Sequence, residues 1–222
     1  MAFGNGPRIV TNGLVVLWDI ADKNCYPGSG TNIYDISGNG YHGTLYNGVS
    51  YNITSTGPVL SFDGVDDYVT SNTNINLASS DFTMIGASRY NGSTRGRIIN
   101  CNYQNWFLGH HGSRVDKYYP SGWVSSTVGS VDDNNWRIYV GNGSPSSDTY
   151  SFYINNSLSA GPNNGGSTGP GGLSIGAAYF NWIPSVGEFS TAEFSFVAMY
   201  NRILSTTEMT QNYDALKSRF RL

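Results

Sequence analysis

The chain is 222 residues long, with 28 glycines, 8 prolines, 14% aromatic and only 12% charged side chains. That balance excludes a helical bundle, which needs far more Ala, Glu, Lys and Leu, and suits a β protein with frequent turns and a surface of Asn, Ser, Thr and Tyr. A net charge of −3 leaves no broad positive field for nucleic acid, and no apolar stretch reaches the length of a membrane span.

Residues 1–12 read as a short N-terminal arm without the apolar core of a secretion signal. The first strand is expected over Leu14 to Trp18, ended by Asp19, with Pro27-Gly28-Ser29-Gly30 punctuating the loop behind it. The polar stretch Asp35-Ile36-Ser37-Gly38-Asn39-Gly40 precedes Gly43-Thr44-Leu45-Tyr46. Val59 to Phe62 and Tyr68 to Thr70 follow as a pair, reversed by Asp63-Gly64 because glycine accepts a positive φ without a Cβ clash. Alternation then sets Phe82, Met84 and Gly86 on one strand face and Thr83 and Ile85 on the other. Arg97 to Cys101 and Trp106 to Gly109 form another candidate pair. After a middle section without clear period, Trp136 to Val140 and Tyr150 to Ile154 read as a long hairpin. Gly161 to Gly172 reads as a flexible loop, and Leu173 to Ala177 and Glu193 to Tyr200 complete the strands. Short strands with turns about every 8–12 residues point to one sandwich or jelly-roll domain over 13–222.

One helix is expected, at about 205–218. Ser205 is placed to cap it, Glu208 to close a capping box, and Leu204 and Met209 to form a hydrophobic staple. Met209, Tyr213, Leu216 and Phe220 recur at helical spacing, and Lys217, Arg219 and Arg221 fall where cations complement the end of a helix dipole.

Four segments carry a family resemblance. They are Gly13-Leu14-Val15-Val16-Leu17-Trp18-Asp19 followed by Tyr26-Pro27-Gly28-Ser29-Gly30-Thr31; Asp35-Ile36-Ser37-Gly38-Asn39-Gly40-Tyr41-His42-Gly43-Thr44-Leu45; Leu60-Ser61-Phe62-Asp63-Gly64-Val65-Asp66-Asp67-Tyr68-Val69; and Met199-Tyr200-Asn201-Arg202-Ile203-Leu204-Ser205. In this order they resemble the concanavalin A-like lectin/glucanase superfamily, in its laminin G-like branch. The opening before the first strand is similar to laminin G-like proteins of tailed bacteriophages. The resemblance implies an all-β, two-sheet antiparallel jelly-roll sandwich with a short C-terminal helix. It also implies a non-enzymatic virion structural protein, made in the host cytoplasm without a signal peptide. Such a protein would be a capsid decoration or head/tail fibre module, oligomeric on the virion, with phage capsid or tail proteins and host-surface polysaccharide as partners. A lectin domain outside a virion is the alternative, and a glycoside hydrolase the least favoured reading.

The residues bear on each reading. Glucanases of the superfamily carry Glu-x-Asp-x-(x)-Glu on one strand, a pattern that Glu188, Glu193 and Glu208 do not form. No catalytic residues are therefore assigned. Asp63, Asp66 and Asp67 are the densest acidic cluster; relatives bind calcium near such a turn and would add an oxygen ligand at Glu193, while the plainer reading has Asp63 shaping the reversal and the other two facing water. No cofactor is required, and Ca²⁺ is the one ion this cluster suggests. His110 and His111, adjacent on a strand, point to opposite faces and cannot share a metal; they and His42 read as surface or packing residues. Cys25 and Cys101 read as buried free thiols, their pairing left open. Tyr103, Trp106, Tyr118, Tyr119, Trp123, Tyr179, Phe180 and Trp182 are assigned to core filling first, then to a protein interface, then to glycan contact.

Overall fold

Alternating strands become two antiparallel sheets packed face to face. In the computed structural model the described residues are 7–222 without 93, 95, 113, 126–133 and 181–184. In chain order the strands are β1 (Leu14–Asp19), β2 (Asn32–Ile33), β3 (Gly43–Tyr46), β4 (Ser50–Thr54), β5 (Gly57–Asp63), β6 (Tyr68–Ser71), β7 (Phe82–Tyr90), β8 (Ile99–Asn100) and β9 (Trp106–His111). They continue as β10 (Arg114–Pro120), β11 (Arg137–Ser144), β12 (Thr149–Ile154), β13 (Ser157–Asn163), β14 (Ser174–Ile175), β15 (Ala178–Phe180), β16 (Ser185–Gly187) and β17 (Thr191–Tyr200), before helix α1 (Thr206–Phe220). The eight-stranded sheet runs β13-β12-β11-β7-β17-β5-β4, with β1 also paired to β17; the seven-stranded sheet runs β10-β9-β8-β14-β6-β3-β2. β15 and β16 form a separate hairpin.

β17 organises the larger sheet. One edge pairs with β7, and the other is divided between β5, opposite Thr191 to Phe194, and β1, opposite Phe196 to Tyr200. Its near-continuous apolar run is explained by burial on both faces. One face joins the core between the sheets, where Trp18, Phe82, Met84, Leu108, Tyr118, Phe152 and Phe194 pack together. The other lies under α1, whose Met209, Leu216 and Phe220 cover Ile85, Ala87, Ile138, Phe196 and Ala198. The face assignment for β7 therefore holds: Phe82 and Met84 point to the inter-sheet core, and Ile85 to the helix.

The helix keeps its expected start. Ser205 caps it, and the reciprocal bonds with Glu208 complete the capping box. Arg202 adds two bonds to the Glu208 carboxylate, at 2.9 and 2.6 Å. Its C-terminus lies at Phe220, two residues beyond the expected end, because Phe220 is still buried against Trp136, ring centroids 4.7 Å apart. The described part of the arm is tied to this helix: Val10 N donates to Asn212 Oδ1 at 2.8 Å, and Gln211 Nε2 donates to the Arg8 carbonyl at 2.7 Å.

Two sequence expectations change. Gly161 to Gly172 is not a loose loop: its first residues belong to β13, and Pro170 to Gly172 are buried. Gly169 N donates to the Ala78 carbonyl and Leu77 N to the Pro170 carbonyl, and a Cβ on Gly169 would collide with the Leu77 carbonyl. Glycine is there for close approach, which composition alone does not separate from flexibility. The expected strand at Arg97 to Cys101 shortens to Ile99–Asn100, because Arg97 is drawn into a polar network described below.

The Asp35 segment proves to be a structural hub. Its carboxylate accepts from Leu17 N (2.9 Å), Ser37 N (2.9 Å), Ser37 Oγ (2.8 Å) and Tyr41 N (3.0 Å), pinning the polar loop to β1. Trp18 Nε1 donates to the Tyr41 carbonyl at 2.9 Å, and the indole rests on Gly43, where a Cβ would lie 2.7 Å from the ring. Cys25 and Cys101 are free and buried.

Candidate functional site

Strand register decides which aromatics reach solvent. On β3 and β6, Leu45 pairs with Val69 and both are buried in the core, so their neighbours Tyr46 and Tyr68, also paired, point outward. The two rings stack at 4.6 Å with 6° between planes, and Tyr179 from the β15–β16 hairpin lies on Tyr68 at 6.1 Å and 20°. Tyr46 is exposed, and Tyr68 and Tyr179 are half-buried. The same logic acts on β9 and β10. Leu108 pairs with Tyr118 in the core, while Phe107 and Tyr119 pair on the outer face, stacked at 5.2 Å, with Trp123 edge-on to both.

A charged network lies against the second group and reaches Phe180, the chain neighbour of Tyr179. The Arg97 guanidinium is nearly buried, lies 4.7 Å above the Phe107 ring and 5.3 Å from Phe180, and donates from Nη1 to Asn100 Oδ1 (2.9 Å) and Asn105 Oδ1 (2.8 Å). Its Nε donates to Glu188 Oε2, which also takes His111 Nε2 at 3.1 Å. The hydrogen bond from His111, then the Arg97 charge, pull the Glu188 carboxyl down to about 2 against the opposing effect of burial. Burial in turn lowers the Arg97 pKa, an effect its Glu188 partner offsets in part. Glu188 sits at φ 51°, a left-handed conformation unusual for a residue with a side chain, and its carbonyl accepts from Arg97 N at 2.8 Å. Two recesses flank it. One of about 440 Å³ is lined by Gly64, Thr94, Gly96, His111 and Phe189, the other of about 160 Å³ by Ala178, Phe180, Ser185 and Gly187, and Glu188 lines both.

The expected aromatic residues divide. Tyr119, Trp123, Tyr179 and Phe180 come together on this outer face. Trp106 and Tyr118 have no solvent-exposed surface and belong to the core, which removes them as contact residues: the inward face of β9 and β10 is the sandwich interior. Tyr103 is half-buried at the turn between β8 and β9, and Trp182 lies outside the described residues. Arg97, Glu188, His111, Tyr46 and Tyr68 were not singled out for contact from sequence. The period-two parity beside Leu45 and Val69 marks the two tyrosines; nothing local marks an Arg and a Glu 91 residues apart.

The acidic cluster is real, with Asp63, Asp66 and Asp67 offering oxygens within 4.8 Å of one another. Asp63 Oδ1 accepts from Val65 N at 2.8 Å, the bond of a turn-shaping aspartate, and Asp67 Oδ2 accepts from Asp63 N at 3.1 Å. Asp67 does not face water as the turn reading expects: it is 4% exposed. Glu193 does not join the cluster. The β17 register places it opposite Arg89, and its carboxylate takes Arg89 Nε at 2.8 Å and Asn91 Nδ2 at 3.2 Å. The three histidines have separate surroundings: His42 Nδ1 accepts from Asp35 N, His110 Nε2 bonds Ser190 Oγ at 2.6 Å in the interior, and His111 meets Glu188. A larger cleft of about 740 Å³ opens near the end of α1, but its aromatics Trp136 and Phe220 are buried on each other and present no open ring face.

No family model matches the chain, and no curated protein matches its sequence. Solved structures do match in fold. Trypanosoma rangeli sialidase in complex with sialic acid aligns over 97% of this chain and 36% of its own, at 15% identity and a TM-score of 0.64. Domain 4 of AbnA, a GH43 extracellular arabinanase from Geobacillus stearothermophilus, in complex with arabinotriose, aligns over 90% of this chain and 98% of its own, at 13% identity and a TM-score of 0.62. The binding domain of Paraclostridial Mosquitocidal Protein 1 aligns over 91% and 52%, at 15% identity and a TM-score of 0.59. The chain thus spans about a third of the sialidase. At these identities the likeness is one of fold.

Proposed function

We propose that the chain is a non-catalytic carbohydrate-binding module whose site is the outer face of the seven-stranded sheet around Glu188. The observation that carries this reading is the partly exposed stack of Tyr46, Tyr68 and Tyr179, whose β15–β16 hairpin also lines a recess with the ionised Glu188. Aromatic rings offer faces for the C–H surfaces of sugar rings, and a carboxylate accepts hydrogen bonds from hydroxyl groups. The arabinanase domain, matched over nearly all of its length, was solved with arabinotriose bound, which supports a glycan ligand without indicating which one.

Absence of catalysis is part of the proposal. Most glycoside hydrolases use a carboxylic acid that is protonated at working pH and a second carboxylate across the scissile bond. Glu188, held at about 2, makes a poor proton donor, and among the described residues no other carboxylate lines either recess. The phage setting, with its capsid or tail partners, virion localisation and oligomeric assembly, rests on the sequence resemblance alone; none of the three structural neighbours named is a phage protein. Neighbouring genes encoding a major capsid or tail protein would support that setting, and unrelated neighbours would count against it.

A glycan array, run with calcium and with chelator, tests the central reading. We expect wild-type signals that fall at least about tenfold in Tyr68→Ala and Tyr179→Ala, an aromatic contact carrying much of the affinity. An array without a single hit would sink it.

A further inference from the structure

We infer that the site takes an internal stretch of a linear glycan, with consecutive sugar units on either side of Glu188, and not a single terminal sugar. This rests on the carbohydrate-binding reading above. Glu188 lines two separate recesses, so one residue borders two neighbouring positions. A lone sugar would fill one and leave the other side of the carboxylate unused.

The aromatic groups extend the site beyond those recesses in both directions. Tyr46 stands on β3 and Tyr119 on β10, five strand steps apart in the sheet, or about 24 Å at ordinary inter-strand spacing. Two runs of contacts lie between them: Tyr46 to Tyr68 and Tyr68 to Tyr179 on one side, and Phe180 to Arg97, Arg97 to Phe107, and Phe107 to Tyr119 and Trp123 on the other, meeting at the β15 strand that carries Tyr179 and Phe180. Phe107 itself is 1% exposed. The partly exposed aromatic side chains therefore cluster at the two ends, the tyrosine stack at one and Tyr119 with Trp123 at the other, with the recesses between. A chain lying across the strands can use both ends and set its register through hydroxyl groups at Glu188. A monosaccharide can reach only one part.

The test is affinity against chain length, by calorimetry with xylo-, cello- and arabino-oligosaccharides from monosaccharide to hexasaccharide. Each unit that gains a ring contact should tighten binding about two- to tenfold, up to a plateau. Tyr46→Ala and Trp123→Ala should each weaken hexasaccharide binding by a similar factor and by more than they weaken disaccharide binding, and Glu188→Gln should weaken every length. Tyr46 is exposed, so its variant reports on binding without disturbing the core. Equal affinity for monosaccharide and hexasaccharide, or long-chain binding indifferent to both end variants, would overturn the inference and leave glycan binding standing. No binding at any length removes both.

Discussion

Replacing Asp67 by Asn should stabilise the protein at neutral pH and have no effect in acid. The side chain is 4% exposed and lies within 4.8 Å of the Asp63 and Asp66 oxygens. Burial first, and then those two like charges, raise its carboxyl to about 6, although the bond it accepts from Asp63 N works the other way. A carboxyl whose folded pKa lies above the unfolded value binds its proton more tightly in the native state. Stability is then highest below the unfolded value, falls as pH rises through the interval from about 4 to 6, and stays lower above it. A shift of that size corresponds to about 1–3 kcal/mol, taking the full figure as an upper bound. At about 2–4 °C per kcal/mol for a domain this size, Asp67→Asn should melt roughly 3–10 °C higher near pH 7 and match wild type near pH 4. Asn can still accept from Asp63 N, so the turn survives. Circular dichroism melts across that pH range, in chelator, make the measurement. Calcium supplies a second arm, since an ion held by the three carboxylates would favour ionised Asp67 and raise the melting temperature of wild type more than that of the variant. A lower melting temperature for Asp67→Asn near pH 7, or the same gain at every pH, would refute the reasoning.

Two further predictions bear on the scaffold and the site. Asp35→Ala strands the Leu17 and Tyr41 amides that its carboxylate now satisfies and should cost about 3–5 kcal/mol, whereas Asp35→Asn, which keeps one accepting oxygen, should cost about 1–2 kcal/mol; denaturant titration separates them, and equal costs would deny the hub its role. Glu188→Gln leaves the nearly buried Arg97 without its countercharge and should cost about 1–2 kcal/mol at neutral pH, a figure already reduced because Glu188 is 44% exposed. Since the Glu188 pKa is depressed, its contribution is complete above about 4.5 and fades as pH falls through about 2, so wild type and variant should converge in strong acid; a gap that persists there would point to lost packing instead.

Much of the fold was legible because the strands obey period two wherever one face is buried. The run from Phe82 to Ile85 gave its faces correctly, and the capping box at Ser205 and Glu208 placed the helix start. The misses have separate causes. β4 (Ser50–Thr54) is an edge strand with mostly exposed side chains, so no apolar alternation announces it. In Gly161 to Gly172 the glycines that look like flexibility serve contact, and only the partner across the gap, the Leu77 carbonyl at Gly169, reveals which.

The site was less legible, and Tyr118 and Tyr119 show why. They are adjacent, chemically identical and equally plausible as contact residues from sequence, yet one fills the interior and the other stacks on the outer face. A strand forces such neighbours apart, but which goes inward depends on its register against β9, where Leu108 meets Tyr118 and Phe107 meets Tyr119. A shift of one residue would exchange the two tyrosines. Composition therefore predicts that aromatic faces reach solvent somewhere, while register decides which ones, and register is fixed by pairing across the sheet. The charged centre lies further still from local inspection. Arg97 and Glu188 are each unremarkable in sequence, and they become a site only because β9 supplies His111 while the stretch after the β15–β16 hairpin turns Glu188 back toward Arg97 in a left-handed conformation.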